Sequence, residues 1–349
     1  MIPILYESTE VDFTSNGLGR LYDCSRCEVT EERNEIYECE FDYPVGGVNY
    51  GLLKCGRIIA VEHGEGNDIQ PFDIYSHSKP LDGVVTFHAR HISYRLKFVT
   101  VTGSNINSLA AALNLFASAT PASRFEFRTD KTSTGVMSAA DGLPKTVRQL
   151  MGGEEGSVLD AYGGEYEYDK FTVNLWEARG EQRPLTIRYG VNMTSYEEDM
   201  DYSESYTAVK PYWASGSDKV IGDMVTADLP AYDGRVSCVP LDISDKFSSK
   251  PTKAQVEAEA RKYLTANTPN APSQTIKVSF VKLADSDEYG KFAGLQECQL
   301  CDYVNVVFPM YDMIGSYEIV KVVWDVLLER YTEIELGNLS ISLAQALGI

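Results

Sequence analysis

Tyr37-Glu38-Cys39-Glu40-Phe41-Asp42-Tyr43 alternates apolar and acidic residues at every step. Successive side chains of a strand point to opposite faces, so this period of two describes a strand with one buried and one wet face. Pro44 and the Gly46-Gly47 pair close the run. Ile58-Ile59-Ala60-Val61, Phe72-Asp73-Ile74-Tyr75, Val84-Val85-Thr86-Phe87 and Tyr94-Arg95-Leu96-Lys97-Phe98 follow at short spacing, with Leu81-Asp82-Gly83 supplying turn chemistry. Residues 1–98 therefore predict a β block of barrel or sandwich type.

Beyond it the texture changes. Residues 105–119 place Leu109, Leu113 and Phe116 at helical spacing among alanines, with Asn107 as the candidate cap. A second short helix is predicted to start at Leu143-Pro144, with proline at its first position, and to stop at Gly152-Gly153. Phe125-Glu126-Phe127 and Tyr166-Glu167-Tyr168 through Phe171-Thr172-Val173-Asn174-Leu175-Trp176 read as strands, which makes 99–184 an α+β region. Strand patterns resume at 185–189, 206–212, 219–226 and 236–239. A helix interrupts them: Thr252 and Gln255 form a capping-box pattern, Val256, Ala260, Tyr263 and Leu264 mark its buried stripe, and prolines at 269 and 272 end it. Strands return at 276–281, 303–308 and 317–326. The fold class is α+β and β-rich.

Charge narrows the functions. The chain of 349 residues has 51 acidic against 31 basic residues, a net charge of −20. No run of Lys or Arg offers the basic stripe that phosphate binding needs, so specific nucleic-acid binding is not expected. An anionic membrane would repel the same surface. No window of 18 apolar residues and no basic-then-apolar start is present, so neither stable membrane insertion nor a cleaved secretory signal is expected.

Candidate chemistry is sparse. Cys24/Cys27 and Cys298/Cys301 are two CxxC pairs, and four thiolates could hold zinc. They lie at opposite ends of the chain, far beyond the spacing of about 15–20 residues usual in zinc ribbons. The odd count of seven cysteines, without a signal, points to reduced thiols rather than a disulfide framework. His63, His77, His88 and His91 are the only histidines, and His88-Ala89-Arg90-His91 sets two imidazoles close together, but H-E-x-x-H is absent. G-x-S-x-G and G-x-x-x-x-G-K-[ST] are absent as well. Glu197-Glu198-Asp199-Met200-Asp201, with Glu204 beyond, lacks the spacing of a calcium loop and reads as a solvated loop or an acidic wall. No catalytic, cofactor-binding or metal residue is assigned, and no cofactor is expected.

Several stretches resemble the prophage endopeptidase tail family, also described as the phage minor structural protein N-terminal region. They are Asn34-Glu35-Ile36-Tyr37-Glu38-Cys39-Glu40 with Tyr43-Pro44; His91-Ile92-Ser93-Tyr94-Arg95-Leu96; Phe171 to Trp176 with Ala178-Arg179-Gly180; Ile187-Arg188-Tyr189-Gly190-Val191-Asn192; Thr207 with Pro211-Tyr212; Asp302-Tyr303-Val304-Asn305-Val306; and Leu328-Glu329-Arg330-Tyr331 with Ile334-Glu335-Leu336-Gly337. The chain departs from the family at Glu35, where Gly is usual, at Val191, where Lys is common, and at Cys301, where a turn Gly is usual.

The resemblance implies a phage baseplate hub fold: two related antiparallel β-barrel domains with α+β insertions. It implies a first barrel at 1–98, an α+β domain at 99–184, and a second barrel begun at 185–243 and completed at 285–337. A helix-containing insertion at 244–284 would pack with the α+β domain, and 338–349 would be a C-terminal segment. The implied function is structural. A homotrimer at the virion tail tip, assembled in the bacterial host cytoplasm, would join a hexameric distal tail protein, the tape measure protein and the tail tube, and enclose the channel for DNA. Duplicating a domain lets three copies meet six. An acidic channel lining repels phosphates, and Glu197 to Glu204 is the candidate for it. In similar tail-associated lysins the lytic module lies beyond the hub, so no enzymatic activity is expected of these residues. The alternative is a cell-wall endopeptidase with a metal site at His63–His91.

Overall fold

The computed structural model describes residues 1–64, 69–119, 124–132, 135–203, 205–227, 236–247, 249–266, 273–280, 297–311 and 313–339. Glu204, the prolines at 269 and 272, Val281 and residues 340–349 lie outside the described residues. The chain divides into two compact units, 1–197 with 276–349, and 198–275.

In the larger unit the alternating run forms the strand Tyr37–Pro44, with Tyr37, Cys39, Phe41 and Tyr43 buried. It pairs antiparallel with Arg26–Glu32 and with Val84–His91. On the wet face, Arg26 reaches Glu28, Glu40 and Asp42, which offsets the repulsion of a stripe of acids. On the dry face, Phe41 stacks on Phe87 with ring centroids 5.0 Å apart. Ile69–Ser78, Ile58–Glu62, Ile4–Tyr6 and Gly19–Arg20 extend the sheet in that order.

On the other side, Arg26–Glu32 pairs with Met313–Asp325, a strand from the far end of the sequence, with Val29 opposite Trp324. Met313–Asp325 in turn pairs with Arg330–Leu339 and with Tyr303–Phe308. Gln182–Arg188 lies parallel to Tyr303–Phe308. Among the described residues the first and last β blocks thus share one sheet of thirteen strands and one core, in which Phe41, Phe87, Val304, Ile319 and Trp324 are buried together. Among the described residues the strand order traces an open path and no closed barrel is found. The fold is mostly β-sheet with few helices.

Between the two blocks lies an α+β layer with its own core around Leu113, Phe116, Leu150 and Leu175. Thr100–Ile106 pairs with Met137–Thr146, while Glu126–Thr129, Thr172–Trp176 and Glu165–Asp169 form a three-stranded sheet. The helix Leu109–Ala119 buries Leu109, Leu113 and Phe116 as expected, but Ser108 rather than Asn107 caps it, its hydroxyl accepting from Ala111 N. Leu143 and Pro144 are the end of a strand, not the start of a helix. The helix is Val147–Met151, begun by a capping box between Thr146 and Gln149. Pro144 is tolerated there because, among the described residues, Met137–Thr146 pairs with one strand and its other edge carries no second ladder. The helix Val158–Tyr162 has no counterpart in the sequence reading. The expected strand at 94–98 is instead a 3-10 turn over Ile92–Phe98 that buries Ile92, Ser93 and Leu96.

In the smaller unit, Ala208–Ser215 is the central strand. It pairs antiparallel with Asp218–Ile221 and Val225–Thr226 and parallel with Cys238–Asp242. The helix Lys253–Ala266 covers one face, with Ala260 and Leu264 against Val209 and Val225, and Val256 against Trp213 and Ile243. Its capping box forms: Gln255 N donates to Thr252 Oγ1 at 3.3 Å, and Thr252 N donates to Gln255 Oε1 at 2.8 Å. This unit spans parts of the expected segments 185–243 and 244–284, because the helix completes its core on the strands just before it.

Candidate functional site

The strand Arg26–Glu32 buries every second residue, and the inward set is Cys27, Val29 and Glu31. A carboxylate at a core position needs a partner, because an uncompensated buried charge costs several kcal/mol. Arg179 supplies it from the segment after Thr172–Trp176: its Nη1 lies 2.7 Å from Glu31 Oε1, and the side chains are 13% and 6% exposed. Burial raises the Glu31 carboxyl, but the Arg179 charge and then His63 outweigh it, so the group sits below its ordinary range and is ionised. Burial alone would lower Arg179, and Glu31 more than reverses this.

Around the pair lies an aromatic and imidazole layer. His63 Nδ1 is 3.0 Å from Tyr37 Oη and 3.4 Å from Glu31 Oε2. His91 also stacks on Tyr37, with ring centroids 4.5 Å apart. The His91 ring accepts at Nδ1 from Ser93 N. Arg148 donates to Tyr168 Oη at 2.7 Å, and Tyr168 lies beside both Tyr37 and His91. A cavity of about 370 Å³ opens next to Glu31, His63, Gln70, Glu167, Asn174 and Arg179. Residues from the first block, the α+β layer and the last block line it, so the cluster sits where three parts of the larger unit meet.

Both imidazoles carry a buried Nε2 with no hydrogen-bond partner. Burial pushes His63 below its ordinary range, partly restored by Glu31. Burial pushes His91 lower still, with help from His63, Arg148, Arg95 and Lys170. The folded chain therefore keeps both rings neutral where an unfolded chain takes up protons, from about pH 6.5 downward. The unfolded state binds more protons there, so stability falls as pH drops below that value. In urea titrations from pH 8 to pH 5, the wild type is expected to lose stability more steeply than His91→Phe, which keeps a ring on Tyr37. Equal slopes would remove His91 from this account.

The four histidines are not brought together. His88 Nδ1, half-buried, lies 2.9 Å from Glu40 on the wet face, and the exposed His77 lies 3.8 Å from the exposed Cys55 Sγ. The two CxxC pairs do not converge either. Cys27 lies 3.8 Å from Cys39 in the core. Cys301 gathers instead with Glu165 and Glu318, their ligand atoms within 4.8 Å of one another, which is the one such group among the described residues. Arg33 already serves its carboxylates, at 2.5 Å from Glu318 and 3.8 Å from Glu165. Cys301 has φ of 72°, in the left-handed region, which explains why a glycine suits this turn. The acidic run is a strand, Met193–Asp201, rather than a loop: Thr194 and Tyr196 favour the extended chain, and Glu197, Asp199 and Asp201 are exposed.

No nucleophile with access is assembled at the cluster. Ser93 Oγ lies 3.0 Å from His91 Nδ1, but both residues are sealed from solvent, and the exposed Cys55–His77 pair has nothing to exclude water. No helix among the described residues is long and apolar enough to cross a membrane.

Residues 181–347 match the model of the prophage endopeptidase tail family. The matched stretch starts one residue after Gly180, so the motif that positions Arg179 lies just ahead of it. Among solved structures, the prophage tail protein gp18 of Listeria monocytogenes EGD-e aligns with 100% of this chain and 98% of its own, at 17% identity and a TM-score of 0.60. The 43 kDa tail protein of prophage MuSo2 from Shewanella oneidensis covers 96% of this chain and 98% of its own, at 9% identity and a TM-score of 0.62. A tail protein of Neisseria meningitidis MC58 covers 97% and 96%, at 14% identity and a TM-score of 0.61. The fold is that of a prophage tail protein. A search of the curated proteins finds no match. In the prophage tail fold the Glu31–Arg179 pair bolts the α+β layer to the shared sheet. Sequence reasoning quoted Arg179 only as part of a motif, named Tyr37 and Tyr168 only as strand residues, and passed over Glu31. The available signal was Glu31 itself, a charge at the inward register of Cys27 and Val29.

Proposed function

We propose that this chain is a structural, non-enzymatic subunit of a phage or prophage tail tip. Three copies form a baseplate hub ring that joins a hexameric distal tail protein, the tape measure protein and the tail tube to the tip, around a channel for DNA. The observation that supports this reading is the pairing of Arg26–Glu32 with Met313–Asp325, which joins β strands from opposite ends of one chain. Three such chains present six modules, the number a hexameric ring requires. In this reading the first hub barrel is residues 1–98. The second is built around the strands at 182–197 and 303–339, with 198–275 as an insertion. The exposed acids of Met193–Asp201 suit a wall that DNA passes without sticking.

Light scattering over a range of concentrations tests it. The expected species has three times the chain mass of 38.8 kDa. A monomer at every concentration would contradict a ring that assembles from this chain alone.

A further inference from the structure

We propose that Glu165, Cys301 and Glu318 form a zinc site that ties the α+β layer to the last β block, an inference independent of the ring reading above. Their ligand atoms, two carboxylate oxygens and a thiol sulfur, all lie within 4.8 Å of one another. Donors around a zinc ion at about 2.0–2.3 Å stand roughly 3–4 Å apart, so small side-chain shifts bring these three onto one ion. A thiolate beside carboxylates suits zinc, whereas magnesium and calcium take oxygen donors.

The sulfur separates this group from an ordinary pair of acids. Cys301 is 1% exposed and in no disulfide, and among the described residues its Sγ has no hydrogen-bond partner. The backbone fixes it beside Glu318: Cys301 N donates to Ile319 O at 2.8 Å, and Ile319 N donates to Asp302 O at 2.8 Å. Glu165 is held from the α+β layer, its Oε2 accepting from Arg179 N at 2.6 Å. The donors are thus largely set before an ion arrives, which lowers the cost of ordering them. Charge agrees with this. Two carboxylates face one guanidinium, that of Arg33, so one negative charge is left over. On binding, zinc sheds water and the Cys301 thiol releases its proton to solvent as the metal–sulfur bond forms. Three anionic ligands, the zinc ion and a nearby Arg33 then cancel. The Arg33 side chain, 39% exposed, has room to turn toward solvent as the ion takes its place.

The test titrates the whole chain with cobalt(II), which occupies zinc sites and reports a thiolate ligand by a near-ultraviolet charge-transfer band, and then adds zinc in competition. The wild type is expected to show the band at one cobalt per chain and to lose it as zinc displaces the cobalt. Cys301→Gly is expected to lack the band and to bind zinc about tenfold more weakly, or beyond. Glycine takes the φ of 72° at this turn without strain, so the variant keeps the fold, which circular dichroism checks. Glu318→Gln is expected to weaken binding too, whereas Arg33→Gln, which removes the competing cation, tightens it. A wild type without the band would overturn the site. A Cys301→Gly chain that keeps band and affinity would also overturn it, and would assign the thiolate to another cysteine, for which the exposed Cys55 beside His77 is the candidate. Unchanged affinity in Arg33→Gln would overturn the exchange of Arg33 for zinc.

Discussion

Arg179→Met is expected to destabilise the larger unit by about 3–5 kcal/mol, the usual cost of stripping a buried charge of its partner. Methionine keeps much of the arginine's volume, so the loss comes from Glu31. Its carboxylate would remain 6% exposed, beside a neutral His63 and with no other cation paired to it among the described residues. Glu31 then has two poor options, to stay ionised without compensation or to take up a proton in the fold. The measurement is urea unfolding at neutral pH. The pair also makes a sharper statement than the single variant. Glu31→Met together with Arg179→Met removes both charges, and the double variant is expected to be more stable than Arg179→Met alone. Additive losses would mean that the two residues do not act as a pair.

The second large effect belongs to the adjacent residue. A Cβ built on Gly180 would lie 1.9 Å from Cys301 O, 2.1 Å from Cys301 C and 2.5 Å from Asp302 N. These are backbone atoms, and they cannot step aside as the end of a flexible side chain would. They are also tied down. Asp302, 2% exposed, accepts from Glu181 N at 2.9 Å and from Gln299 N at 2.8 Å, and Arg183 Nε donates to it at 2.6 Å. Gly180→Ala is therefore expected to cost about 3 kcal/mol, at the upper end of overpacking effects. Gly46→Ala, where nothing lies within 4 Å, is the control, with an expected change within about 0.5 kcal/mol. Similar melting temperatures for the two variants would show that the chain at 180 and the turn at 301 do not touch as described.

These two residues show which parts of the molecule local sequence could carry. The strand Tyr37–Pro44 was legible because each of its side chains states its own environment: acids outward, Tyr, Cys and Phe inward. The capping box at Thr252 and Gln255 was legible for the same reason, since both partners lie within one helical turn. The stretch at 94–98 was misread because its apolar residues also satisfy a 3-10 turn, and the choice was made by His91 capping Ser93 and by burial of Leu96 under the α+β layer. Pro144 was misread because a helix start and an unpaired strand edge tolerate the same missing N–H. Pairings such as Val29 with Trp324 were not legible at all, as no local pattern records which two edges meet across the chain. The cluster suffered likewise: Glu31, His63, His91 and Arg179 come from four segments, and only the inward register of Glu31 announced that a partner was needed.

The central claim is that this chain forms a threefold hub presenting six β modules, and an image of the assembled particle tests it most directly. Electron-microscopy class averages are expected to show a ring with threefold symmetry, six lobes of similar size and an open centre. Single-chain particles or twofold dimers at the same protein concentration would contradict it.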